Sequence, residues 1–247
     1  MKENYNHLAI ILAAGKGSRL STQVPKPLYK IDGLPIIDHL INSISSVPDV
    51  DILTVVGHQK DKVISHIQDR SAYIVQNNQN GTADAVLRCV DYIKKYNNTF
   101  VFVGDTPFIP SKDLEGMLLS HISSKADCSF LYSEFPFELP YGRLVFNKDN
   151  FLIKLIEAAH LVGEEKDIRT LFTSQYLFNS KLLLKNIKKI GVDNKTGEYN
   201  LTDIINIYIE KKYKISPILV NQFWRLMGIN TLNDIELLKS YNRNEKK

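Results

Sequence analysis

Leu12-Ala13-Ala14-Gly15-Lys16-Gly17-Ser18-Arg19-Leu20, followed by Val24-Pro25-Lys26-Pro27, stands directly after the apolar run Leu8-Ala9-Ile10-Ile11-Leu12. That run has the length and branched-residue content of a fully buried strand, so the small residues are expected at a strand's carboxyl end. Open α/β sheets take their ligands at that edge. Gly15 and Gly17 let the chain turn tightly with no Cβ in the way, so successive N–H groups can converge on one anion; Arg19 and Lys26 add two fixed positive charges. The stretch reads as a triphosphate cradle. A plain strand-to-loop turn with solvated charges is the competing reading of a Gly-x-Gly, and Arg19 with the Pro25-Lys26 pair weighs against it. Two other glycine loops are excluded. The dinucleotide fingerprint needs a third glycine where Leu20 stands, and the P-loop needs Gly-Lys-Ser/Thr entering a helix, which Gly15-Lys16-Gly17 does not supply.

Outward from the loop, strand and helix patterns alternate. Ile36, Ile37, Leu40, Ile41 and Ile44 space a helix over 35–47; strands are expected over 52–56, 72–75 and 99–103, and a helix over 61–68. Gln76-Asn77-Asn78-Gln79-Asn80-Gly81-Thr82 leads from one strand into a helix over 83–96, with Thr82 placed to cap it. Side-chain amides and backbone groups there could read a base edge, or could simply lead into a helix. Gly104-Asp105 follows the 99–103 strand to the same sheet edge, where a carboxylate is well placed to hold Mg²⁺.

Beyond about residue 125 the rhythm changes. Strands are expected over 127–134, 142–146, 151–157, 170–178 and 215–220, and helices over 180–190, from 198 onward and over 232–241, before a charged tail. With no repeat and no low-complexity linker, this predicts one domain: a nucleotide-binding half (1–125), an acceptor-binding half (126–230) continuous with the same sheet, and a C-terminal helix and tail (231–247).

A chain of 247 residues with 44% apolar and 23% charged residues can bury a real core. No run reaches the roughly 18 apolar residues of a membrane span, and no signal segment precedes the first strand, which places the protein in the cytoplasm, away from the membrane. Cys89 and Cys128 lack partners at metal spacing and read as buried free thiols. A net charge of +4 without basic stripes carrying interleaved aromatics gives no support for nucleic acid. The excess sits in runs such as Lys185-Lys188-Lys189 and Lys211-Lys212-Lys214, read as solvated.

Taken together, the ordered motifs resemble a known family. Leu12-Ala13-Ala14-Gly15 with Gly17 and Arg19, Pro25-Lys26, Gln76 with Gln79, Gly81 and Thr82, Gly104-Asp105, Tyr141-Gly142-Arg143, Glu198-Tyr199 with Thr202-Asp203, and Gly228 with Asn230 recur in this order in the uridylyltransferase domain of bifunctional N-acetylglucosamine-1-phosphate uridylyltransferases. The similarity runs from Leu8 to about Asp234. It implies an α/β Rossmann-like nucleotidyltransferase fold, a mostly parallel mixed sheet flanked by helices with a smaller acceptor-binding lobe. It also implies transfer of UMP from UTP to a sugar phosphate such as N-acetylglucosamine 1-phosphate, with release of pyrophosphate. By the same resemblance Leu12, Ala13, Ala14, Gly15, Gly17, Gln76, Gln79, Gly81 and Thr82 would bind the nucleotide. Asp105 and Asn230 would hold Mg²⁺ (or Mn²⁺), and Tyr141, Gly142, Glu157, Phe172 and Thr202 would face the acceptor. Arg19 would act on the departing pyrophosphate and Lys26 near the α-phosphate, so that fixed cations rather than a covalent intermediate carry the catalysis.

Departures lie in the acceptor segment. Ile156-Glu157-Ala158-Ala159-His160 stands where the family carries Val-Glu-x-Lys-Asp, and Phe172-Thr173-Ser174 where it carries Asn-Thr-Gly. Phe172 is therefore expected to present a flat apolar wall, and a phosphorylated metabolite other than N-acetylglucosamine 1-phosphate is expected to be the better acceptor. The family's trimer, built by an acetyltransferase domain that the bifunctional enzymes append, is not carried over, and the oligomeric state stays open. Three other readings stand beside this one: a cytidylyltransferase using CTP and another sugar phosphate or small non-hexose phosphate, a catalytically silent nucleotide-binding regulator, and an interaction scaffold of the same fold.

Overall fold

His7–Ala13 forms β1, which is covered on both faces. Leu8 and Ile10 point into one core cluster while Ala9, Ile11 and Ala13 point into another across the sheet, the period-two alternation of a strand held between helical layers. A computed structural model of the chain describes residues 6–17, 20 and 24–245, with side chains through Arg243. Arg19 therefore lies outside the described residues, as do 1–5 and 246–247.

The remaining elements are a small hairpin (β2, Lys30–Ile31; β3, Leu34–Pro35), α1 (Ile36–Ser45), β4 (Val50–Val56), α2 (Lys60–Ile67), β5 (Ala72–Val75), α3 (Thr82–Leu87), α4 (Val90–Ile93), β6 (Asn98–Val103) and α5 (Ser111–Ser124). They continue with β7 (Cys128–Glu134), β8 (Gly142–Phe146), β9 (Leu152–Ile156), β10 (Thr170–Asn179), α6 (Ser180–Asn186), α7 (Asp203–Glu210), β11 (Ile215–Leu219) and α8 (Leu232–Glu245). The main sheet runs β11-β7-β10-β6-β1-β4-β5, and the β8–β9 hairpin hangs from β10. Pairing is parallel for β1 with β4 and β6, β4 with β5, and β7 with β11; β10 alone of the central strands runs against its neighbours β6 and β7. This is an α/β Rossmann-like arrangement with a mixed, mostly parallel sheet.

From β1 the chain moves outward to β4 and β5, then crosses back to place β6 on the other side of β1. That reversal is a topological switch point, and it opens a crevice outside the carboxyl ends of β1 and β6. Gly104 N–H donates to Leu12 O at 2.9 Å there, holding the two strand ends together.

Two expected helices are shorter than their sequence patterns. The 83–96 pattern divides into α3 and α4 because Cys89 N–H donates to Val86 O and Tyr92 N–H to Cys89 O, tight turns that break the α ladder around Cys89. The 180–190 helix stops at Asn186 and finishes as a 3₁₀ turn over Ile187–Lys189. Residues 198–202 were expected to open a helix; α7 instead begins at Asp203 and the preceding residues run as an irregular strap. Cys89 and Cys128 are buried free thiols, and burial pushes the Cys89 pKa up to about 12.

At the opposite edge of the sheet His7 and His121 are buried close to each other. Desolvation, with a smaller contribution from His7, lowers the His121 pKa to about 4; burial also lowers that of His7, partly offset by Asp49. An unfolded histidine takes its proton near pH 6.5, so the unfolded chain binds more protons between that pH and about 4. Stability from neutral His121 is therefore complete above the unfolded value and drains away as pH falls, by about 3 kcal/mol at the lower limit. Urea unfolding at pH 7 and 4.5 should show His121→Gln losing about 2 kcal/mol less than the parent chain on acidification. Equal losses in both chains would clear His121 of the effect.

Candidate active site

The crevice outside β1 and β6 is a cavity of about 250 Å³, lined by Leu12, Ala13, Ala14, Gly15, Lys26, Pro27, Gln76, Gln79, Gly81, Thr82, Ala85, Val103, Gly104, Asp105 and Glu198. A larger hollow of about 790 Å³ adjoins it and adds Lys16, Gly17, Asn77, Asn78, Asn80 and Asn230. All nine residues expected at the nucleotide thus line these two adjoining hollows. Glu198 lines both hollows, and although its motif was visible, its own place in the cavity was not.

Local sequence explains each wall. Pro25 fixes an extended entry (φ −58°) to the 3₁₀ turn Lys26–Leu28, which packs against the glycine loop. Gly17 sits at φ +59°, and a Cβ there would come within 2.7 Å of Lys26 Cβ, so the loop closes on the lysine only because position 17 lacks a side chain. Lys26 Nζ then reaches Asp105 Oδ2 at 2.5 Å and Asn230 Oδ1 at 3.1 Å. The carboxylate and the amide oxygen therefore converge on one cation.

The partners of that cation are held from behind. Ile229 N–H donates to Asp105 O at 2.9 Å, and any Cβ on Gly228 would lie 2.8 Å from Asp105 Oδ1. Gly228 N–H donates to the Tyr141 hydroxyl at 2.8 Å. Tyr141 is itself fixed by Arg143, a fully buried guanidinium whose Nη1 donates to Leu139 O (2.9 Å) and Tyr141 O (2.7 Å). Asp234, in the first turn of α8, accepts from Asn230 N–H and Thr231 N–H, both at 2.7 Å. Tyr141 thus lies behind the Gly228–Asn230 segment as a support.

On the other side, Gln76 Nε2 donates to Asp84 Oδ2 at 2.8 Å and to Gly81 O at 3.2 Å. Turning the amide over would set its oxygen against a carboxylate and a carbonyl, so Nε2 is committed and Oε1 is left as an acceptor. Thr82 does not cap α3: the helix starts one residue earlier than expected, at Thr82 itself with Gly81 in the cap position, and the Thr82 hydroxyl accepts from Leu201 N–H at 2.8 Å. Tyr199 N–H donates to Asn80 O at 2.8 Å and Ala83 N–H to Tyr199 O at 2.9 Å. The strap 193–202 is laced to the amide loop. Gly81 lies at φ +111°, ψ 175°, with Tyr199 O only 2.4 Å from where a Cβ would stand. Gly81→Ala is expected to cost at least about 2 kcal/mol in unfolding free energy, from backbone strain plus the clash. Urea unfolding checks it, and a change under about 0.5 kcal/mol would mean the strap yields freely.

The strap's other end meets the expected acceptor residues. Asp193 Oδ2 pairs with His160 Nε2 at 2.5 Å and Lys195 Nζ donates to Ala159 O at 3.0 Å. Backbone N–H donation from Thr196 and the His160 contact hold the Asp193 pKa well below the carboxylate range. Glu157 is shifted the other way by burial, partly offset by the nearby Thr202, and burial also raises Asp203. The Tyr176 hydroxyl, 3.3 Å from Thr202 Oγ1 and facing Ser174, completes a polar group that sequence reading missed in part: Tyr176 and Asp193 carried no motif signal. Gly142 is buried beside Ile156 and Phe172. Phe172 lines neither the crevice nor the hollow beside it. Only 2% exposed, it packs edge-on against Phe130 and Tyr176 with ring centroids 4.9 and 5.0 Å away, because period-two alternation sets it on the same buried face of β10 as Tyr176 and Phe178.

The sequence profile of the nucleotidyl transferase family matches residues 8–234. The bifunctional protein GlmU of Streptococcus pyogenes serotype M12 is 34% identical over 223 residues, 90% of this chain and 54% of that protein. GlmU of Streptococcus uberis is 32% identical over 90% of this chain and 49% of its own length. The chain spans about half the length of the curated relatives it matches. A crystal structure described as that of a glucose-1-phosphate thymidylyltransferase from Bacillus anthracis, proposed as such rather than established, superposes with a TM-score of 0.79 at 23% identity, covering 96% of this chain and 95% of that one, and shows the shared fold. With a family match running from β1 into α8, over every wall of the crevice just described, the chain belongs to the nucleotidyl transferase family.

Proposed function

We propose that the chain is a cytoplasmic, Mg²⁺-dependent nucleotidyltransferase that moves UMP from UTP to a phosphorylated sugar, N-acetylglucosamine 1-phosphate being the first acceptor to test. The observation that carries the reading is the convergence of Asp105 and Asn230 on one cationic point, 2.5 and 3.1 Å from Lys26 Nζ, at the mouth of a cavity walled by the glycine loop. A carboxylate and an amide oxygen aimed at a common centre are hard donors that suit Mg²⁺, with further positions left for water and phosphate oxygens. Bound there, the ion would supply Lewis-acid stabilisation of charge on the phosphate oxygens.

In the reaction, an oxygen of the acceptor phosphate forms a bond to the α-phosphorus and the bond to the bridging α–β oxygen breaks, its electron pair leaving with pyrophosphate. Lys26 is assigned to stabilising the charge that grows on the α-phosphate, and Arg19 to the departing pyrophosphate. Gln76 Oε1 accepts the N3–H of uracil in this reading, its own N–H groups being committed to Asp84 and Gly81. Glu157, supported by Thr202, receives acceptor hydroxyls.

The test is pyrophosphate release from each of UTP, CTP, dTTP, ATP and GTP against a panel of phosphorylated acceptors. UTP with a sugar 1-phosphate is expected to give the highest kcat/KM. A purine triphosphate ahead of UTP would overturn the nucleotide assignment, and CTP ahead of it would make the chain a cytidylyltransferase. Because Ala159 and His160 replace a lysine and an aspartate of the resembling family, and His160 is tied to Asp193, an acceptor other than N-acetylglucosamine 1-phosphate is expected to win the competition. No release with any pair would leave a binding protein.

A further inference from the structure

The lysine runs read as solvated in the sequence meet in the fold. Lys189 ends the 3₁₀ turn after α6 and Lys211 follows α7, and both ammonium groups donate to a single atom, Asn186 Oδ1, each at 3.0 Å. The two nitrogens therefore lie within twice that distance of each other. Asn186 is fully buried and its Nδ2 donates to Leu182 O at 2.9 Å, so the oxygen that gathers the two cations is itself fixed. Contact with Lys211, ahead of burial and the charge of Lys185, holds the Lys189 pKa below the usual lysine range. Among the described residues none of Lys185, Lys188, Lys189, Lys211 and Lys212 takes part in an ion pair with a carboxylate.

Attraction between cations and helix carboxyl ends accounts for lysines at the ends of α6 and α7. It does not account for two exposed, flexible lysines sharing one oxygen when solvent lies open to both. Each ammonium spends one donor on Asn186 and keeps two others, so the pair presents several N–H groups and a doubled charge to whatever lies outside. A single-charged carboxylate cannot use that arrangement fully. An anion with several charged oxygens can, and phosphates are of that kind.

We propose that Lys189 and Lys211, aligned by Asn186 and reinforced by Lys185, form a binding site for a small multivalent phosphate anion, inorganic phosphate or diphosphate. The site is separate from the crevice at the strand ends and independent of the nucleotide reading. It stands at the far end of α7 from Thr202 and Asp203, about 12 Å along the helix.

The test uses the whole chain. The Asn186 side-chain amide resonance and the Lys189 and Lys211 Cε resonances are followed by NMR at low ionic strength during titration with phosphate, diphosphate or potassium chloride at matched ionic strength. Saturable shifts are expected with phosphate or diphosphate, at concentrations at least about tenfold below any response to chloride. The stronger of the two phosphate arms identifies the anion. Equal responses to chloride, or no saturation, would overturn the site. Thermal melting gives a second readout through Lys189→Gln/Lys211→Gln. In phosphate-free, low-salt buffer this variant is expected to melt at or above the parent chain, because like charges are removed, and to gain less from added diphosphate. A variant that melts lower while gaining equally would show the lysines to be structural donors to Asn186 and would end the proposal.

Discussion

Asp105→Ala is expected to reduce turnover by at least about a thousandfold, the scale of a lost centre of charge stabilisation at a reacting phosphate. The carboxylate is the anionic half of the pair that meets at Lys26 Nζ, 2.5 Å away, and Asn230 alone offers only a neutral amide oxygen at 3.1 Å. Neither the divalent ion nor the lysine would then be held. The backbone contact from Ile229 N–H to Asp105 O does not depend on the side chain and survives the substitution, so the fold is expected to persist. Asp105→Asn keeps the shape without the charge and should lose nearly as much. The checks are kcat at saturating substrates across a Mg²⁺ titration, with melting temperature as the control. Parental turnover in the variant, or in the parent chain with excess chelator, would remove the metal assignment.

Lys26→Ala is expected to lower kcat by at least about a hundredfold, with a smaller effect on KM for the triphosphate, because the charge it opposes develops mainly in the transition state. Lys26 is anchored by the Pro25 turn and by the close approach of Gly17, so its ammonium is carried on a rigid base rather than a flexible arm. Lys26→Arg should not restore the rate, since the longer planar group cannot reproduce a point contact with both Asp105 and Asn230. A rise in KM at unchanged kcat would instead assign Lys26 to ground-state binding. An unchanged rate with a shifted melting point would make it structural.

The strand-end geometry was legible because it rests on local chemistry. A doubly buried apolar run, small residues after it and an aspartate after a second such run are short-range signals, and β1, β6 and the cavity between them follow from these. Asp105 and Asn230 could be paired through the resemblance alone, but that Lys26 meets both could not be read, since Lys26 and Asn230 are 204 positions apart in sequence and come together through the docking of the Gly228–Asn230 segment on Tyr141 and Asp105. The errors have a common source. Thr82 suits an N-cap by residue type, yet a distant backbone N–H, that of Leu201, competes for its hydroxyl and wins. Phe172 was given to the acceptor by alignment, yet the sequence-distant Phe130 of β7 packs edge-on against it in the core. Tyr176 and Asp193 escaped notice because a buried tyrosine and a turn aspartate look ordinary until the strap brings Thr202 and His160 to them.

The antiparallel strand β10 lies between β6 and β7 although it follows both in the chain. During synthesis β6 is therefore complete well before its second hydrogen-bonding partner exists, and the gap from Val103 to Gln175 takes on the order of 4–14 s to translate at ~5–20 residues per second. For that interval a nascent chain ending within β7 or the β8–β9 hairpin carries an open, aromatic sheet edge at Phe100 and Phe102. The sheet can close only after the whole β10 segment has been made, so the protein must fold late, with high contact order, and its newly made first half is the stage at which chaperones would be most needed and aggregation most probable.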